Sequence, residues 1–254
     1  MQPTIILDAG HGGYDNGASY NGRREKDDNL NLVLAVGQKL EQAGFPVIYT
    51  RTTDVYQRPI DKAGIANNSG GDYFVSIHRN ASPNPNTYSG VQTLVFNDSG
   101  VPANMARAIN EELVKLGFND LGVPERTDLT VLRRTSMPAV LVEAGFLNTD
   151  ADNARFDANF DAIAAAIAKG IENTVGNSQS TGGSGFGVQV GLFRRYENAQ
   201  YLLNQLVAQG YNVQIRDWNG YFAVVVGNEA SLEGARQLER ELQQKGYDTL
   251  IVNV

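Results

Sequence analysis

The 254-residue chain carries 21 basic and 28 acidic side chains, a formal charge of −7, and no cysteine. Disulfides, thiolate chemistry and cysteine-ligated metals are thereby excluded. With 15 basic against 21 acidic groups in residues 1–175 and 6 against 7 in residues 186–254, neither half has the basic footprint that grips phosphates, so neither nucleic acid nor an anionic membrane surface is an expected partner.

The chain opens on MQPTIILDAG. This start lacks the basic stretch and long apolar region of an export signal, so the expectation is a trimmed form or a protein released by lysis. TIILDA (4–9) is a buried-strand run. Leu30, Val33, Leu34, Gly37 and Leu40 then recur at helical spacing, closed by QAG. PVIYT (46–50) predicts a strand, RPIDKAGIANN (58–68) a helix, YFVSIH (73–78) and VQTLVF (91–96) strands. ANMARAINEELVKLG (103–117) predicts an amphipathic helix, PAVLVEAG (138–145) a strand, and FDAIAAAIAKGIENTV (160–175) a closing helix. Strands alternating with helices predict an α/β fold, a mostly parallel sheet flanked by helices. The strands are apolar on successive residues, as expected when both sheet faces are covered.

GNSQSTGGSG (176–185) has no charge and four glycines, a flexible-linker composition. Ten such residues span roughly 17–19 Å root-mean-square. The chain therefore reads as two domains, 1–175 and 186–254. In the second, GVQVGLF (187–193) is a strand, and Ala199, Leu202, Leu203 and Leu206 mark a helix ending at Gly210. YNVQIRDW and YFAVVVG flank Asn219-Gly220, a hairpin signal. Leu232, Ala235, Leu238 and Leu242 mark a second helix, and TLIVNV the last strand. The order is βαββαβ, the ferredoxin-like arrangement.

Three strands of the first domain deliver a metal- or proton-competent residue: His11, His78 and Glu143. In open α/β sheets ligands bind outside the carboxyl ends of the strands, so these positions should converge on one edge. His11 and His78 are the chain's only histidines. Two imidazoles plus one carboxylate, with an open position for water, is a recurrent catalytic zinc set. The carboxylate is Glu143 or Glu25, the latter lying just before the first helix on the loop after the His11 strand. If Glu25 is the ligand, Glu143 is free to act as general base.

The segments LDAGHGGYDNGA, REK, VIYTRTTD, SIHRNAS and VLRRTSMPAVLVEAGFLN, in that order, resemble the zinc-dependent N-acetylmuramoyl-L-alanine amidases of the amidase-3 type, over residues 3–175. The resemblance implies cleavage of the amide between the lactyl group of N-acetylmuramic acid and L-alanine of the stem peptide, and hence a cell-wall location. It implies one Zn2+ held by His11, Glu25 and His78, Glu143 as the catalytic glutamate, and Asn80 and Arg133 near the substrate. DAGH departs from the commoner DPGH at Ala9, which alters turn rigidity and not ligand chemistry.

The second domain resembles SPOR domains, which bind glycan strands of peptidoglycan stripped of stem peptides. Phe222 stands where that family often has arginine. Alternation predicts Val188, Val190 and Leu192 facing the helices. Gln189, Phe193, Gln214, Arg216, Trp218 and Tyr221 then form an open platform for sugars. A monomer is expected. Two other readings give different products: a glycosidase using Glu25 and Glu143, which would release new reducing ends, and a non-catalytic wall-binding protein.

Overall fold

The computed structural model describes residues 2–176, 186–218, 221–229 and 231–253. Nearly all of the expected linker and the Asn219-Gly220 turn lie outside the described residues. The chain divides into two compact units, Met1–Ser178 and Gln179–Val254.

The first unit runs β1 (Ile5–Ala9), β2 (Ser19–Tyr20), β3 (Arg23–Arg24), α1 (Glu25–Gln42), β4 (Val47–Tyr49), α2 (Pro59–Ser69), β5 (Tyr73–Asn80), β6 (Gln92–Val95), α3 (Gly100–Val114), α4 (Thr130–Arg134), β7 (Ala139–Phe146), α5 (Asp150–Ala158) and α6 (Phe160–Val175). The main sheet has the order β4-β1-β5-β7-β6. β1 is parallel to β4 and β5, β5 is parallel to β7, and the edge strand β6 alone runs antiparallel. Both faces are covered, which explains the continuous apolar strands. Ile5, Leu7, Val75, Ile77, Val140 and Val142 pack under α1, α3 and α6. Ile6, Phe74, Leu94 and Leu141 pack under α2 and α4. Each such fully buried side chain contributes about 1.5–3 kcal/mol.

Local chemistry sets the helix ends. Glu25, Asp27 and Asp28 fill the first turn of α1, where carboxylates meet the positive end of the helix dipole. Pro59 occupies the first turn of α2, which ends on Gly70 at φ 73°. Glu25 is the first residue of α1 rather than a loop residue before it. The short β2–β3 ribbon leads straight into the helix, and Glu25 N donates to Ala18 O at 2.9 Å.

The second unit is β8 (Phe186–Phe193), α7 (Tyr196–Ala208), β9 (Val213–Trp218), β10 (Tyr221–Glu229), α8 (Leu232–Gln244) and β11 (Leu250–Asn253). Its sheet is antiparallel in the order β11-β8-β10-β9, the ferredoxin-like arrangement. One expectation fails here. Val224 pairs with Gly191, but Val225 pairs with Gln189, so Val190 is the extra residue of a β-bulge. Beyond it the alternation inverts. Leu192, expected against the helices, is 46% exposed. Phe193, expected on the open platform, packs against the helix-side core with Leu202 and Phe222. Phe222 also faces that core, its ring 5.2 Å from Tyr196 edge to face. Its place in the arginine position therefore removes nothing from the open face.

Candidate functional site

The carboxyl ends of β1, β5 and β7 meet as the topology demands. His78 pairs in register with Glu143 on the adjacent strand, so both side chains leave the same face of the sheet. β1 continues into Gly10, whose N donates to Ile77 O at 3.0 Å. Here glycine is required by space: a Cβ on Gly10 would sit 2.3 Å from the His78 ring. The chain then turns through His11, held at φ 61°, a conformation that costs a non-glycine residue on the order of 1–3 kcal/mol. Asp15 Oδ2 accepts from His11 Nδ1 at 2.9 Å, and Gly12 and Asp15 exchange backbone bonds. Gly17, at φ 65°, leaves the room in which Glu25 and His11 meet.

Glu25 lies between the two imidazoles. Its Oε2 is 3.1 Å from His11 Nε2 and its Oε1 is 2.8 Å from His78 Nδ1. Backbone N–H groups of Ala18 and Arg79 also donate to it, at 2.9 and 3.2 Å, and Asn29 Nδ2 donates at 3.2 Å. Burial pushes the Glu25 carboxyl up, but the two imidazoles outweigh burial and hold it far below the usual range. Burial lowers both histidines. The Glu25 hydrogen bond and charge more than reverse that, raising His78 and taking His11 to about 9. Two imidazoles clamped on one carboxylate, sharing protons with it, form a metal-ligand set. A divalent cation takes the place of such protons. Donor atoms of His11, Glu25 and His78 all lie within 4.8 Å of one another, the one such group among the described residues. The residues therefore fit a metal ion.

Glu143 differs in kind. Its Oε2 is buried with no hydrogen-bond partner, and burial pushes its pKa up to about 7. A carboxyl near neutrality, unpaired and beside a ligand cluster, can take and return a proton.

A second layer of charge holds the rim, and sequence reasoning missed it. Arg51 donates to Ala9 O and Gly10 O at 3.0 and 2.9 Å. Buried Lys62 reaches Ala9 O and pairs with Asp8 at 2.7 Å, and Thr50 and Ser76 also donate to Asp8. Arg79, 1% exposed, pairs with Asp28 and Asn153 and stacks 3.9 Å over the Phe156 ring. Asp8, Asp15, Arg51 and Arg79 all lie inside the quoted motifs, yet only the fold reveals their partners. Asn80 ends β5, where its Oδ1 accepts from Ala81 N at 2.8 Å. Arg133 is exposed in the last turn of α4. The arginine whose charge acts on Glu143 is Arg126, itself bonded twice to Asp128 at 2.9 Å.

On the second unit, direct cross-strand pairs put Gln189, Val225 and Gln214 in one row of the face away from the helices and Leu192, Ala223 and Arg216 in the next, with Val225 and Ala223 buried between their neighbours. Tyr221 follows, opposite Trp218 in register and within 3.2 Å of Arg194 Nε. The Trp218 side chain lies outside what the structure describes.

The N-acetylmuramoyl-L-alanine amidase family profile matches residues 5–173, and the SPOR domain profile matches residues 182–253. A sporulation-specific N-acetylmuramoyl-L-alanine amidase of Bacillus subtilis (strain 168) is 33% identical over 82% of this chain and 82% of its own length. An endolysin of Bacillus phage SPP1 is 40% identical over 61% of this chain and 58% of its own. The crystal structure of an N-acetylmuramoyl-L-alanine amidase from Clostridium difficile 630 aligns at TM-score 0.64 and 34% identity, over 71% of this chain and 99% of that one.

Proposed function

The chain belongs to the N-acetylmuramoyl-L-alanine amidase family, and on that premise we propose how its residues divide the work of cutting peptidoglycan. His11, Glu25 and His78 hold one zinc ion, His11 through Nε2 because Asp15 occupies its Nδ1. Bound zinc would lower the pKa of a water from about 15.7 to about 7 and polarise a carbonyl. Glu143 is the general base. Its Oε2 takes the proton as water adds to the lactyl carbonyl, then returns it to the L-alanine nitrogen as the C–N bond breaks. The positioned carboxylate contributes about 10²–10⁴-fold. Asn80 and Arg133 contact the substrate.

One observation carries this reading: three donors, from the turn after β1, from α1 and from β5, converge within 4.8 Å while the unpaired Glu143 stands opposite His78. It also argues against the glycosidase. The glycosidase leaves the two imidazoles that clamp Glu25, at 3.1 and 2.8 Å, without a role.

The catalytic domain is 1–175, the linker 176–185 and the peptidoglycan-binding SPOR domain 186–254. Gln189, Gln214, Arg216 and Tyr221 form its glycan platform, with Leu192 in the place expected of Phe193. A glycan anchor on a short tether raises the local concentration of substrate for the amidase. The protein works in the cell wall as a monomer. The test is mass analysis of digested peptidoglycan beside metal quantification. New L-alanine amino termini, loss of activity on chelation and its return with zinc are expected. New reducing ends, or full activity in a zinc-stripped chain, overturn the reading.

A further inference from the structure

The loop that presents His11 continues through Gly12 and Gly13 to Tyr14, whose side chain is 79% exposed. The Tyr14 ring stacks on Tyr56, with centroids 4.0 Å apart and planes 28° apart. Val55 and Ile60, from the same stretch of chain as Tyr56, are exposed as well. An exposed apolar patch of this kind marks a contact surface more often than it serves the fold.

The pair is rigidly mounted. A Cβ on Gly12 would meet Val55 O at 2.2 Å, and one on Gly13 would meet Tyr56 N at 2.7 Å, so only glycines let the two loops interlock. Gly13 N donates to Asp54 at 2.7 Å, and Lys26 ties Asp54 to Gly13 O. Little ordering remains to be done on binding, which favours affinity.

We propose that Tyr14 and Tyr56 form a saccharide platform, seating a pyranose ring of the glycan strand beside the amide to be cut. This rests on the amidase reading of the neighbouring site. The choice of sugar over stem peptide follows from charge. Arg58 is bonded twice to Asp61, at 2.8 and 2.7 Å, and Lys26 is paired with Asp54. The patch thus offers an anionic peptide no unspent cation among these groups. It offers an aromatic face with its outer side open, which suits the apolar face of a neutral ring.

Nitration of Tyr14, mapped by mass spectrometry on the full chain, reads the platform without any catalysis. A peptide-free tetrasaccharide of N-acetylglucosamine and N-acetylmuramic acid is expected to slow nitration of Tyr14 several-fold. Protection by free stem peptide instead, or by neither probe, overturns the platform. In kinetics, Tyr14→Ala is expected to lower kcat/KM about 10-fold more for a glycan-chain substrate than for a single muramoyl-peptide, about 1.4 kcal/mol of selective contact. Tyr14→Phe should restore the ratio. Equal losses on both substrates overturn it. Should the parent chain cleave no amide at all, the amidase reading falls while the nitration result still decides the platform.

Discussion

The two units solve different problems of placement. In the first, His11, Glu25 and His78 are each held by something else. Glu25 accepts from two backbone amides and one side-chain amide besides its imidazoles, and two glycines leave the space in which the rings meet. In the second, the platform residues emerge from neighbouring strands by pairing register, and Leu192 stands 46% exposed. Chemistry at one atom needs convergence, and convergence needs a supporting shell. Seating a polymer needs only a face. A single extra residue, Val190, therefore rewrites the composition of the second surface without disturbing its sheet.

The contrast breaks most visibly at Glu143. Glu143→Gln is expected to keep its metal while turnover falls about 10²–10⁴-fold, whereas His78→Ala loses the metal. Equal metal loss in the two, measured per chain, would erase the division between holder and base. Next comes the buried pair beneath the rim. Lys62→Ala leaves Asp8 buried with its countercharge gone, and a loss of about 3–5 kcal/mol in urea unfolding is expected. No platform residue on the other unit should approach that figure.

A third effect runs the opposite way. The Glu143 carboxyl is raised from 4.5 to about 7 in the folded chain, so folding favours its proton. Its full contribution is present below pH 4.5 and is lost as pH rises to about 7. In the metal-free protein Glu143→Gln should therefore be more stable than the parent above pH 7 by up to about 3 kcal/mol. The difference should vanish in acid. Equal stabilities across the range would mean that Glu143 is solvated like any surface acid. The smallest effect tests the bulge. Phe193→Ala should cost about 1–3 kcal/mol of stability, while Leu192→Ala changes stability by no more than about 0.5 kcal/mol and weakens binding to peptide-free glycan. The reverse pattern would restore simple alternation.

Most of the sheet and the convergence of His11, His78 and Glu143 were legible because strand ends in a doubly covered sheet share one edge. Glu25 was legible as a candidate through its position after the His11 strand. The resemblance to known amidases, rather than spacing, chose it over Glu143 as ligand. The two-residue strands β2 and β3 carry no periodicity to read. The partners of Arg79 come from 51 and 74 residues away in sequence, and no local pattern announces them. The bulge belongs to the register between β8 and β10, which neither strand encodes by itself.

The grip of Arg51 and Lys62 on the Ala9 and Gly10 carbonyls bears on how an ion would come and go. The two carbonyls that precede His11 are fixed by these cations, and its ring is held by Asp15. The His78 ring touches down on a glycine and has Glu25 as its hydrogen-bond partner. Exchange of an ion would then require the loop or the strand that carries an imidazole to shift, and not a ring alone.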